Sequence, residues 1–203
     1  MRTPDEPSAG EAVTTADRLA DAAISIIARD GFNALSVRRV AREAAVTGGT
    51  VQHHYPSKVE LTVAALDRTV QRQSRRFASL PRTGSPITQL TSELCAMLPS
   101  DPASTEEAVV WIAMSAAVPG HPFVADRRRQ AAQQARQWIS SRIRRAQAAG
   151  VVDGSLDPDV VGPMIEAALD GMMLQAVAEN GASRESCRQL RQMVERLLLL
   201  QSP

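Results

Sequence analysis

Residues 47–58 concentrate side chains that the chain scarcely uses elsewhere. Lys58 is the only lysine, Tyr55 the only tyrosine, and His53 and His54 are two of the three histidines. All other basic side chains are arginine. Between Ser36 and Lys58 stand Arg38, Arg39, Arg42 and Lys58 against a single acid, Glu43. Hydroxyl, amide, imidazole and ammonium donors beside local positive charge suit a polyanion, so the stretch reads as a nucleic-acid element. The formal net charge of +1 does not oppose this. Affinity for a polyanion follows the phosphates contacted rather than the whole-chain charge.

Other chemistries find less support. His53 and His54, adjacent on a helix, diverge by about 100°, and His121 is the sole further histidine, so no metal is expected. No nucleophile–base–acid arrangement, phosphate loop or zinc spacing occurs, so neither catalysis nor a cofactor is expected. Cys95 and Cys187 sit in apolar helical patterns and read as buried free thiols in a reducing cytoplasm.

The elements that must position residues 47–58 read as helices. Aromatics make up only 3% of the chain, and no alternating Val/Ile/Thr run suggests a strand, so an all-α fold is expected. Residues 1–13, with Pro4, Pro7 and Gly10, read as a disordered tail. Thr14 or Thr15 caps a first helix whose apolar face carries Leu19, Ala22, Ala23, Ile26 and Ile27, and Gly31 closes it. Ser36 caps a second helix through Val40 and Ala44. A tight turn at Ala45-Val46 leads to a third helix, capped by Thr47 and ended by Pro56. Ser57-Lys58-Val59-Glu60 is a capping box that opens a fourth helix running towards Leu80.

Two helices joined by so short a turn form a helix-turn-helix, with Ala41, Val46 and Val51 at the contact. The later helix can then lie in the major groove. Gly48 and Gly49 leave its first turn bare for close approach to phosphate, while Thr50, Gln52 and His53 project outward. Gln can bond adenine N6 and N7 together. Lys58 and Ser36, at helix N-termini, suit phosphates. The expected DNA-binding set is therefore Ser36, Arg38, Thr47, Gly48, Gly49, Thr50, Gln52, His53, His54 and Lys58.

Beyond a break at Pro81 to Pro86, about five further helices follow, making about nine in all. Residues 105–118 are apolar on nearly every side, as for a helix in the middle of a bundle. No apolar run approaches the ~20 residues of a membrane span. The run Arg127 to Arg129 on the long helix 122–149 reads as a solvated face. Trp111, Met114, Phe123, Trp138, Met172 and Met173 are the best lining for an apolar or cationic ligand. Glu166 and Asp170, one turn apart, face that cavity or water. The last two helices, parted by Gly181, carry apolar stripes that include Ile165 and Leu169, then Leu190, Val194 and Leu197. Pairing them with their two-fold copies gives a four-helix dimer interface. The two reading helices then stand roughly 34–36 Å apart, which suits a palindromic duplex.

The segment from Gly31-Phe32 to Leu61, with Ser36-Val-Arg-Arg-Val-Ala-Arg-Glu-Ala and Gly49-Thr-Val-Gln-His-His-Tyr-Pro-Ser-Lys, resembles the N-terminal domain of TetR-family transcriptional regulators. The spacing Val-Gln-His-His-Tyr-Pro-Ser-Lys is similar to the subgroup with BetI-type C-terminal domains, as are Trp111-Ile-Ala-Met and Leu169-Asp-Gly-Met-Met-Leu-Gln. The resemblance implies a DNA-binding domain over residues 14–60 and a ligand-binding, dimerising domain over 61–203. It implies a homodimeric cytoplasmic regulator of double-stranded DNA, a repressor released from its palindromic operator by a small-molecule effector. An activator of the same fold is the alternative. A helical small-molecule-binding protein with a vestigial helix-turn-helix is the rival from another class, which Arg38, Arg39 and Lys58 oppose. Two positions depart from the family pattern. Gln52 stands where a tyrosine is usual, which exchanges a phosphate contact for base reading. Ala45 stands where glycine is common, at a cost of about 1 kcal/mol if φ is positive there.

Overall fold

Hydroxyl and carboxylate caps set the helix starts. Thr14 Oγ1 accepts from Asp17 N–H at 3.0 Å while the Asp17 carboxylate accepts from Thr14 N–H at 3.1 Å. Ser57 and Glu60 form the same reciprocal pair, and Ser36, Thr47, Ser85 and Asp157 cap other helices singly. Each such cap contributes about 1 kcal/mol. The computed structural model describes residues 13–117, 121–179 and 184–199. Among these, the elements are α1 (Thr15–Asp30), α2 (Val37–Glu43), α3 (Gly48–His54), α4 (Lys58–Ser79), α5 (Pro86–Cys95), α6 (Pro102–Ala117), α7 (Pro122–Ala148), α8 (Pro158–Ala178) and α9 (Arg184–Leu199), with a 3-10 turn at Phe32–Ala34. The all-α class and the nine helices agree with the sequence reading. The expected tail, Val13 apart, the last residue of the apolar run 105–118 and the expected break at Gly181 lie outside the described residues.

Two apolar cores result. The first joins Leu19, Ile24 and Ile27 of α1 to Val40, Val51 and Leu61 of the next three helices. It also takes in Val110 and Met114 of α6 and Val124 and Ala131 of α7. α1 is buried on two flanks, which α4 and α6 cover, because its isoleucines at 24, 26 and 27 cannot all point one way. The second core is built from α5, α7, α8 and α9 around Leu90, Leu94, Ile139, Ile143 and Ile165. Close approach of α7 and α8 depends on Gly162. A Cβ there would stand 2.5 Å from Ser140 Oγ and 3.3 Å from the Arg136 carbonyl.

Three expectations change. α6 begins at Pro102 rather than Thr105, and Val109, Trp111 and Ile112 are only half-buried, so it is not enclosed on every side. The longest apolar helix is α8, whose length and composition would suffice to cross a membrane. Its Glu166 and Asp170 instead pair with arginines of α7. Lastly, Ile165, Leu169, Leu190 and Val194 are buried inside the second core, with Leu197 half-buried against it. These side chains face α5 and α7 of their own chain, so they are not a free surface for a second copy. Among the described residues of α8 and α9, the large apolar side chains left exposed are Val160, Met164 and Leu174 of α8, by 57%, 52% and 55%, and Leu199 of α9.

Candidate functional site

The turn between α2 and α3 is made of backbone hydrogen bonds. Val46 N–H donates to the Ala41 carbonyl at 2.9 Å and Ala45 N–H to the Arg42 carbonyl at 3.3 Å. Ala45 adopts φ 53. This double closure around a left-handed residue is the helix-ending motif that glycine usually supplies. Arg18 of α1 braces the turn by donating to the Ala44 carbonyl at 3.2 Å. Val51 is fully buried beneath α3 and fixes which way the helix faces. At its far end, Tyr55 donates its hydroxyl to the Ala16 carbonyl at 3.2 Å, so it anchors α3 to α1.

What α3 turns outward is polar. Gln52, His53 and His54 are exposed, with the two imidazoles edge to face at 5.3 Å. Thr50 is not free in the way its position suggested. It is half-buried, and its hydroxyl lies 2.9 Å from that of Thr47. Gly48 and Gly49 are exposed, and a Cβ at Gly48 would meet nothing while one at Gly49 would touch only Thr47 Oγ1 at 3.7 Å. Packing within the chain therefore does not account for either glycine. Ser36 accepts from Arg39 N–H at the start of α2, and Arg38 and Arg42 are exposed on that helix. Arg39 is paired with Asp30. Lys58 folds back, donating to the Asn33 carbonyl at a long 3.4 Å with its ammonium 5.2 Å from the Phe32 ring centre.

A cavity of about 320 Å³ lies between α4, α6, α7 and α8. Trp111, Trp138 and Met173 line it, as does Phe77, stacked on Trp138 with ring centres 5.3 Å apart. The other three expected lining residues are elsewhere. Met114 is buried in the first core, Phe123 packs against that core beside His121, and Met172 packs on the second core. Phe77 escaped the sequence reading, although Val70, Ser74 and Phe77 keep one helical face and all three line the cavity. Glu107, Glu166 and Asp170 supply carboxylates and Arg76 a cation.

Ion pairs tie this cavity to α1. Glu107, nearly buried, binds Arg76 at 2.5 Å and Arg72 at 3.8 Å, and Arg72 also reaches Asp21 of α1 at 3.0 Å. Arg68, only 6% exposed, binds Asp21 at 2.6 Å and Asp17 at 2.8 Å. The Asp17 carboxyl is held below the usual range, first by the Thr14 N–H and more weakly by Arg68.

A helix-turn-helix with an open polar face, joined by partly buried ion pairs to a helical bundle with a cavity, defines a DNA-binding transcriptional regulator. Residues 19–65 match the family model for bacterial regulatory proteins of the tetR family. Residues 86–199 match the model for the C-terminal part of BetI-type transcriptional repressors. The chain belongs to the TetR family of transcriptional regulators. It is 33% identical over 92 residues to the HTH-type transcriptional repressor KstR of Rhodococcus jostii, an alignment covering 44% of this chain and 43% of that repressor. This chain thus aligns with less than half of KstR. A TetR-family regulator of solved structure from Rhodococcus sp. shares the fold, with a TM-score of 0.83 at 22% identity over 90% of this chain and 97% of that one. A transcriptional regulator from Saccharomonospora viridis, solved in complex with choline, gives a TM-score of 0.72 at 25% identity over 89% and 93% of the two chains.

Proposed function

We propose that the chain is a repressor that binds a palindromic operator as a homodimer and leaves it when a small molecule enters the cavity. The observation that carries this reading is the outer face of α3, where Gln52 and His53 stand free beyond two glycines that nothing inside the chain requires. Gln52 and His53 read base edges in the major groove. Ser36, Arg38, Thr47, His54 and Lys58, with the bare N–H groups of Gly48 and Gly49 and a lesser part for Thr50, hold phosphates. The tie from Lys58 to Asn33 is long enough to exchange for a phosphate at little cost.

The dimer forms through the outer face of α8. Val160, Met164, Ala167, Gly171, Leu174 and Ala178 are all exposed there, at alternating spacings of four and three. That is the period of a seam between two helices, with small residues allowing close approach. Duplex DNA as the target makes the cytoplasm the place of action. Trp111, Trp138 and Met173 give the cavity the apolar walls of a ligand site, and the choline complex of the S. viridis regulator supports an effector there. Because Glu107 belongs both to the cavity wall and to the ion pairs reaching α1, a ligand that disturbs it favours a different position of the DNA-binding head, α1 to α4.

Selection of bound duplexes from a random pool tests the reading directly, and a palindromic consensus is expected. On that consensus, Gln52→Ala relaxes sequence preference, while Lys58→Ala weakens binding to all duplexes and flattens the salt dependence. No enrichment, or both variants behaving as the parent, refutes it.

A further inference from the structure

Resting on the reading of the cavity as the effector site, we infer that the effector is an organic monocation. Its positive centre is held at Glu166 and its apolar body against Trp111, Trp138 and Phe77. Three carboxylates and one arginine line the cavity, but the three carboxylates are not in the same condition. Glu107 has a two-point pair with Arg76, at 3.1 and 2.5 Å, and a further contact with Arg72. Asp170 accepts from Trp111 Nε1 at 3.0 Å and pairs with Arg128 at 3.0 Å. Arg128 also lies over the Trp111 ring, 3.6 Å from its centre. One wall of the cavity therefore already holds a cation between an indole face and a carboxylate, supplied by the chain itself.

Glu166, one turn before Asp170, lacks such a partner. Its side chain is only 12% exposed, and its ion pair is a 3.6 Å approach of Arg136, which is itself 38% exposed. Burial first, and then the charge of Asp170, raise its pKa above the ordinary carboxylate value. The folded chain thus carries the cost of desolvating this carboxylate without full compensation. A ligand cation completes it, a neutral ligand leaves it as it is, and an anion is repelled by it while the one arginine of the lining, Arg76, is already committed to Glu107. The aromatic side chains on the same cavity add cation–π attraction for a positive ligand. A volume of about 320 Å³ falls at the small end of the ~300–1,000 Å³ usual for ligand pockets.

Both tryptophans of the chain line the cavity, so intrinsic fluorescence reports its occupancy without a label. The full-length protein is titrated with phenyltrimethylammonium, with its neutral carbon isostere tert-butylbenzene, and with benzenesulfonate. The cation should bind about tenfold or more tightly than tert-butylbenzene, and benzenesulfonate should not bind. Glu166→Gln should lower the cation's affinity to that of tert-butylbenzene while leaving tert-butylbenzene unchanged, which also shows that the variant is folded. Equal binding of cation and isostere, tightest binding of benzenesulfonate, or an undiminished cation preference in Glu166→Gln overturns the inference but leaves the cavity as a ligand site. Failure of all three probes to change the fluorescence overturns the effector-site reading and the inference with it.

Discussion

Replacing Ala45 by glycine should stabilise the protein, and the size of the effect follows from one backbone angle. Ala45 sits at φ 53, where an L side chain crowds its own backbone. That conformation costs roughly 1–2 kcal/mol for alanine and almost nothing for glycine. Against this, glycine loses roughly 0.5–1 kcal/mol more conformational freedom on folding. Ala45 is exposed, so removing its methyl group forfeits no packing. The net gain is about 0.5–1 kcal/mol, which for a chain of this length raises Tm by roughly 1–4 °C. Urea denaturation checks it, with the midpoint moving up and the slope m unchanged. Operator binding should persist, because both closing hydrogen bonds of the turn are backbone to backbone. Ala44→Gly is the control. Ala44 has φ −85 and ψ 0, a right-handed conformation in which glycine brings no relief. That variant should lose about 0.5–1 kcal/mol. A fall in Tm for Ala45→Gly, or shifts of the same sign in both variants, refutes the argument from handedness.

Other positions give further expectations. Gly162→Ala forces a Cβ against Ser140 and the Arg136 backbone; overpacking of about 1–3 kcal/mol exceeds the ~1 kcal/mol gain in helix propensity, so Tm falls. Adding Ser140→Ala removes the 2.5 Å clash and should restore part of the loss. Arg68→Met strips Asp17 and Asp21 of their shared cation; with both carboxylates about a quarter exposed, the cost is nearer ~2–3 kcal/mol than the full ~3–5 of a buried pair, measured by urea unfolding. Asp17 and Asp101 have carboxyls held below the ordinary range, chiefly by the N–H groups of Thr14 and Ser104. Their contribution is present above the unfolded value of about 4 and is lost as pH falls through the lower folded value, so Tm should drop steeply below pH ~4, and less steeply in Asp17→Asn. Cys95 is pushed up to about 12 by burial and then by its hydrogen bond with Cys187. Iodoacetamide should therefore label it slowly in the native protein and rapidly in urea, and fast native labelling would contradict that burial.

Much of the head was legible because its signals are local. A cap needs only the residue three positions on, so Thr14, Ser36, Thr47 and Ser57 announced their helices without any knowledge of tertiary contacts. The larger domain was less legible because its decisive partners are distant in sequence. Arg127 to Arg129 looked like a solvated run, yet Arg127 reaches Asp67 on α4 and Arg128 reaches Asp170 on α8. Only Arg129 keeps a neighbouring partner, Asp126. The cavity failed in the same way. Side-chain size picked out Met114 and Phe123, but helix phase turned them into the first core, and the same phase turned Phe77 of α4 onto Trp138. On α8 the more strongly apolar stripe went inward, leaving outside the sparser one, with its alanines and Gly171, that a sequence reading passes over.

The first core has a consequence for anyone who wishes to rewire such a protein. Val110 and Met114 of α6 and Val124 and Ala131 of α7 close the floor beneath α1 to α4. The helix-turn-helix is therefore not a cassette that can be cut at Leu80 and grafted onto a foreign bundle. A chimera spliced there would set Leu19, Ile24 and Ile27 against side chains shaped for another head, and would sever Arg72 and Arg76, and through Arg72 also Asp21, from Glu107 unless that residue travelled too. The transferable unit is the head together with four floor positions roughly thirty to fifty residues beyond Leu80. The exposed face of α3 can be rewritten in place, but the helix-turn-helix moves only with the floor it stands on.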